Sequence, residues 1–242
     1  MPKKMDIMQF QRTRRYAAGV TAVNAAADAA AVAVALAAHG KKLDLGMTTY
    51  NGLTEANKAI VDAAVLAGKA VEDYVGRNAV AAVFGTILLA RVAAQFAVDM
   101  VNAALSEVKM DAVIVQYAEV LGLELDDYNL LTDDNKETVC EDMLTNRPYV
   151  NEAAIKVAFD AAVATELEVQ ALAAINKATA ETMAAVIATY ADALGLDLTD
   201  YDELDEAKKG EVHTAMVTGQ PFADKAAVKT AFDAAVLAAQ GE

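Results

Sequence analysis

A single cysteine, two histidines and three prolines are all that this chain of 242 residues carries of those types. One thiol, Cys140, excludes a disulfide framework or a cysteine-built zinc site within one chain. His39 and His213 lie far apart and at unrelated positions, so they form neither a metal pair nor a proton relay. No serine nucleophile elbow, phosphate-cradling glycine loop or His-Glu-x-x-His helix occurs. Strand signals are scarce too, because the β-branched residues recur at helical rather than alternating spacing in an alanine-rich background. Long apolar runs are short of what a membrane span needs: Ala79 to Ala90 is broken by Arg91, against the roughly 20 residues of a spanning helix.

Positive charge is outweighed over most of the chain. Residues 1–42 hold Lys3, Lys4, Arg12, Arg14, Arg15, Lys41 and Lys42 against Asp6 and Asp28, a net of +5 that leaves −20 for the remainder. An acidic body of that kind is not a general binder of nucleic acid or anionic membrane, because phosphate contacts need clustered cations. A basic N-terminal arm can instead touch an acidic surface on this molecule, a sister copy or a larger assembly. Thr13-Arg14-Arg15 matches a twin-arginine export signal only faintly, since Asn24 and Asp28 interrupt the apolar stretch that follows, and export is not expected.

What is present is internal repetition, which decides architecture before any other feature. Gly195-Leu196-Asp197-Leu198-Thr199-Asp200-Tyr201 matches Gly122-Leu123-Glu124-Leu125-Asp126-Asp127-Tyr128, and a diverged version runs from Leu43-Asp44-Leu45 to Tyr50. Counting from Leu53, Leu131 and Leu204 aligns Val61, Val139 and Val212, then Val65, Met143 and Met216, then Gly68, Asn146 and Gly219. The apolar positions share one helix face, and the Gly or Asn reads as a left-handed stop. Pro148-Tyr149 and Pro221-Phe222 follow as turns, aligned with Ala70-Val71. Ile155, Phe159 and Val163 then match Val228, Phe232 and Val236 as the stripe of a further helix. Upstream, Met110, Val113, Ile114, Tyr117 and Leu121 recur 73 residues later as Met183, Val186, Ile187, Tyr190 and Leu194. Ser106, Thr179, Thr54, Thr132 and Asp205 are placed as N-caps.

The expected fold is therefore all-α: a basic arm over residues 1–16, a diverged first repeat over 17–105 with an extra apolar helix, and repeats over 106–168 and 169–242. Each repeat of about 70 residues is a small three-helix unit in which an extended Leu-x-Leu and tyrosine connector joins the first two helices. Tyr50, Tyr128 and Tyr201 are expected to anchor helices, with their hydroxyls reaching water or a backbone carbonyl. The acidic connectors, Asp197, Asp200, Asp202, Glu203, Asp205 and Glu206 with Glu124, Asp126, Asp127, Asp133 and Asp134, lack the order of a calcium loop. They read as capping, dipole-complementing and solvating groups. Cys140 is expected to be a buried thiol.

The segments Gly195 to Tyr201, Gly219 to Val228 and Ala231 to Val236 resemble small helical modules that recur in surface-layer-type and phage structural proteins of Gram-positive bacteria. The match is closest over 171–240. The resemblance implies a structural module rather than an enzyme, without cofactor or metal. Its partners would be other virion or surface proteins, in a homo-oligomer or larger assembly, with no nucleic acid held by the acidic body and no membrane. The expected function is a virion component such as a capsid decoration, fibre or connector subunit, assembled in the host cytoplasm. The alternatives are a cell-envelope or adhesive repeat protein, an unusual enzyme or small-molecule binder, and a cytoplasmic adaptor. The expected attachment residues are Lys3, Lys4, Phe10, Arg12, Arg14, Arg15 and Tyr16 in the arm, and Phe84, Ile87 and Leu88 in the apolar helix.

Overall fold

The computed structural model describes the backbone of residues 7–241 and the side chains of residues 16–241 apart from Val71. Among them the chain is all-α: α1 (Ile7–Ala25), α2 (Ala29–His39), α3 (Met47–Asn51), α4 (Glu55–Val71), α5 (Arg77–Ala103), α6 (Glu107–Leu121), α7 (Asp126–Leu130), α8 (Asp133–Thr145), α9 (Glu152–Lys177), α10 (Ala180–Leu194), α11 (Thr199–Asp202), α12 (Glu206–Gly219) and α13 (Lys225–Gln240). The order helix, very short helix, helix, helix occurs in α2–α5, α6–α9 and α10–α13. Two compact units divide the chain, one of residues 1–100 with 150–152 and the other of 101–149 with 153–242. The expected boundary at 168/169 falls inside the unbroken α9.

Helix starts follow the capping residues. Asp28, Thr54, Ser106, Thr132, Asp205 and Asp224 each accept a hydrogen bond from the amide three residues on, and Thr179 forms a reciprocal capping box with Thr182. The left-handed stops lie elsewhere than expected. Gly122 (φ 67°) and Gly195 (φ 66°) close α6 and α10, whereas Asn146 is not left-handed, Gly219 is the last residue of α12, and α4 runs through Gly68 to Val71. Gly68 answers a packing need instead: a Cβ there would collide with the Tyr74 hydroxyl, and one on Gly219 would meet the Phe222 ring at 3.0 Å.

The cores use the apolar positions that the sequence aligns. Val61, Val139 and Val212 are fully buried, as are Val65, Met143 and Met216, and Val32 joins Met110 and Met183. Val80, Phe84 and Leu88 on α5 are buried like Ile155, Phe159 and Val163 on α9 and Val228, Phe232 and Val236 on α13. Removing a buried phenylalanine of this kind costs about 3–5 kcal/mol.

A second set of bonds ties each aromatic turn to the end of an earlier helix. The Asn24 side chain donates to the Tyr74 carbonyl and accepts from its amide (3.1 and 3.0 Å); Asn102 does the same with Tyr149 (2.9 and 2.8 Å), and Asn176 with Phe222 (2.9 and 2.7 Å). Beside each clamp a long polar side chain donates to carbonyls at or just past a helix C-terminus: Lys69 to Ala26, Arg147 to Asn102 and Ala104, Gln220 to Ile175 and Ala178. The counterpart of the Pro-aromatic turns is thus Tyr74, not Ala70-Val71. Gln95 and Gln170 act alike at the start of α4 and α8, accepting from the amides of Thr54 (2.8 Å) and Thr132 (2.7 Å).

Candidate functional site

The tyrosine connectors are one-turn or slightly longer helices rather than extended segments: Tyr50 lies on α3, Tyr128 on α7 and Tyr201 on α11, and all three are buried. Four or five residues carry too little helical periodicity to be read from sequence. Each ring packs at a tilt on the phenylalanine of the following long helix, with centroids 5.7 Å apart for Tyr50 and Phe84, 5.4 Å for Tyr128 and Phe159, and 5.5 Å for Tyr201 and Phe232. Tilted aromatic pairs add about 0.5–1.5 kcal/mol beyond their buried area.

The hydroxyls meet side chains, not the water or backbone carbonyl expected of them. In each case a partner stands twelve residues on: Asp62, Cys140 or His213. Tyr50 donates to the Asp62 carboxylate, 2.9 Å from both oxygens. Tyr128 donates to Asp111 Oδ1 at 2.6 Å, which leaves the Cys140 thiol, 3.5 Å away, to donate to the Tyr128 oxygen. The Tyr201 hydroxyl lies 2.7 Å from His213 Nε2.

Burial shapes the acid-base behaviour of these groups. It raises Asp62 above the usual carboxylate range against the opposing hydrogen bond from Tyr50, with Glu55 adding to the rise and Lys58 countering it. It pushes the Cys140 thiol up to about 11, so the reactive thiolate is scarce at neutral pH. It holds His213 below the ordinary histidine range, with Glu206 opposing and Lys209 reinforcing the shift. All three tyrosines are raised by burial first. A protonated phenol beside a protonated thiol is a structural pair, not an activated nucleophile.

Next to Tyr128 a cavity of about 420 Å³ opens between α6 and α8. Tyr128, Cys140, Val108 and Val115 supply its apolar lining, and Glu107, Asp111, Asp133 and Glu137 its carboxylates. Lys136 is the cation among the lining residues, with its ammonium 5.4 Å from the centre of the Tyr128 ring. The volume lies within the ~300–1,000 Å³ of ligand pockets.

The other expected site residues are placed differently. Lys3 and Lys4 lie outside the described residues, as do the side chains of Phe10, Arg12, Arg14 and Arg15. Tyr16 is half-buried, with the Arg77 guanidinium 5.0 Å above its ring. Phe84 and Leu88 are withdrawn from any surface, because they form the core stripe of α5 with Val80; Ile87 is half-buried and packs on the same core. Leu89, 71% exposed, is the large aliphatic residue that faces outward beside them. The helix that carries them is also longer than the run Ala79 to Ala90 implied: its 27 residues are long and apolar enough, by length and composition, to cross a membrane.

The acidic connectors behave as local hydrogen-bond acceptors. Asp205 caps α12, and Asp197 accepts from the Thr199 amide (3.0 Å) and hydroxyl (2.7 Å), bonds that hold its carboxyl below the usual range. Among the described residues no group of three His, Cys, Asp or Glu side chains is arranged to hold a metal ion. No protein-family model matches this chain, nor does any curated protein or solved structure.

Proposed function

We propose that the chain is built from three copies of one helical module behind a basic arm, and that it is a structural component of a virus (phage) particle. In this reading the protein is a capsid decoration, fibre or connector subunit. The arm and first module attach it, and the two acidic modules project. The single observation that carries the reading is the threefold recurrence of one bonding pattern: a tyrosine on a phenylalanine, its hydroxyl on the residue twelve positions on, and an asparagine clamped to an aromatic turn. The polar side chains that fold the helices are thereby consumed in holding them together, as a load-carrying scaffold requires and as a reaction centre does not.

Charge supports the same reading. Five cations against one carboxylate in residues 1–16 precede a strongly acidic body, so attraction between copies or to an acidic lattice is concentrated in the arm. Attachment through the arm is tested by sedimenting lysate from cells that make the native protein, and identifying by mass spectrometry whatever co-sediments. The wild-type chain is expected to travel with a large capsid-like particle, and a variant with Lys3, Lys4, Arg12, Arg14 and Arg15 replaced by Ala is expected to leave it with unchanged helical content. Recovery of the wild type in the wall fraction would instead support a cell-envelope or adhesive protein, and recovery as a small soluble species would reject both.

A further inference from the structure

The positions that give the α6–α8 cleft its chemistry are filled differently beside the other two tyrosines. Val108, Asp111, Val115 and Glu137 correspond to Ala30, Ala33, Ala37 and Ala59 in the first module as aligned above, and to Glu181, Ala184, Ala188 and Gly210 in the third. Four positions that are small in most of the alignment have become two valines and two carboxylates around one cavity. Asp111 serves the module by accepting from the buried Tyr128 hydroxyl, but nothing in the shared frame asks for the other three: Val108 is 78% and Val115 52% exposed, and Glu137 is exposed too, so none is held by the core.

We propose that this cleft is a docking site for the N-terminal segment, residues 1–15, of a second copy of this chain. The inference rests on the assembly reading above and deepens it by naming the surface and its occupant. The argument for that occupant is charge and composition. The cleft carries four carboxylates and one cation. The segment carries five cations and one carboxylate, with Met5, Ile7, Met8 and Phe10 interleaved among them. Two copies of a chain with a net charge of −15 repel one another on average, and a cationic segment set in an acidic cleft offsets that repulsion locally.

The geometry suits a lysine or arginine side chain. Tyr128 fixes one oxygen of Asp111 at 2.6 Å and leaves the other to receive a charged donor, in a cleft that Glu107 and Glu137 also line. The aliphatic stem of the incoming side chain then lies along Val108 and Val115, whose exposed methyl groups otherwise face water. Lys136 is kept over the face of the Tyr128 ring, 5.4 Å from its centre. Because segment and cleft are different surfaces, the contact is heterologous and each copy can both give and receive.

The test uses the full chain in sedimentation velocity across a concentration series at low salt, with circular dichroism to show that each variant is folded. The wild type is expected to gain mass with concentration and to lose that gain at about 1 M salt, where the screening length falls to ~3 Å. A cleft variant, V115K with E137K, changes two poorly buried positions. An arm variant replaces Lys3, Lys4, Arg12, Arg14 and Arg15 by Ala. Each alone should associate at least about tenfold more weakly. Mixed together, the two should recover association, since one keeps an intact cleft and the other an intact segment.

A wild type that stays monomeric throughout overturns the proposal, as does a cleft variant that associates like the wild type or a mixture that does not recover. Docking of the segment on its own molecule would give the first of these results. Particle co-sedimentation of the same variants separates this proposal from the previous one: a cleft variant that still attaches to particles and still self-associates removes the cleft alone.

Discussion

Tyr50 and Tyr201 occupy matching places in two different units, and the difference between them lies in one side chain. Both rings are buried, both tilt on a phenylalanine of the following long helix, and both direct the hydroxyl at the residue twelve positions on. At Tyr50 that residue is a buried carboxylate, Asp62, and at Tyr201 it is a half-buried imidazole, His213. The comparison teaches that the frame demands a hydrogen-bonding group at this point but not a particular one. The same frame can therefore answer pH in opposite directions.

The largest effect tests whether the two frames are equivalent. Phe84→Ala and Phe232→Ala should each cost about 3–5 kcal/mol, read by urea denaturation, because both delete a buried ring together with its tyrosine contact. Markedly unequal costs would break the equivalence. Next come Asn24→Ala and Asn176→Ala. Each removes both bonds of one clamp and leaves the facing amide and carbonyl without that partner, for about 1–3 kcal/mol. Hydrogen exchange should speed up around Tyr74 in the first variant and around Phe222 in the second.

The pH responses sharpen the comparison. Asp62 binds its proton more tightly in the folded chain than in the unfolded one, so its contribution is fullest at low pH and is lost as pH rises through its raised folded pKa. His213 binds its proton less tightly when folded. Its contribution is full above the unfolded histidine value of about 6.5 and is lost as pH falls through that value toward the depressed folded one. On acidification below pH 7, amides around Tyr201 should exchange faster relative to those around Tyr50. Asp62→Asn and His213→Asn should each flatten the response of its own site. A response of the same sign at both sites would contradict the assignment.

The smallest effect concerns the middle site. With its thiol pushed up to about 11, Cys140 should hold roughly 100-fold less thiolate at pH 8 than an ordinary thiol with a pKa near 9. Disulfide reagents should modify it slowly until the chain is unfolded, and rapid labelling of the native protein would refute this.

Much of the frame is legible in the residues. The capping hydroxyls and carboxylates, the buried Val61, Val139 and Val212, and the stripes on α9 and α13 all follow from local spacing. The differences have separate physical causes. Phe84 and Leu88 read as a binding surface because the alanine-rich run around them is apolar on every side, which hides the stripe of Val80, Phe84 and Leu88 at a spacing of four. Tyr74 was missed because no proline precedes it and its spacing differs, although Asn24 holds it as Asn102 holds Tyr149. Gly68 has the composition of a stop but serves the ring of Tyr74. Of the α6–α8 cleft only the ingredients were visible, because α7 lies between its two walls in the chain.

Helical class, the starts of the capped helices and most core positions were determined by the sequence by itself, since capping and amphipathic spacing act within one or two turns. Tertiary structure alone decided that Tyr50 meets Asp62, Tyr128 meets Asp111 and Cys140, and Tyr201 meets His213. The same holds for Asn24, Asn102 and Asn176, which reach turns 50, 47 and 46 residues away. The physical reason is that a helix periodicity states which face is buried, whereas the partner of a hydroxyl or an amide depends on how two helices cross.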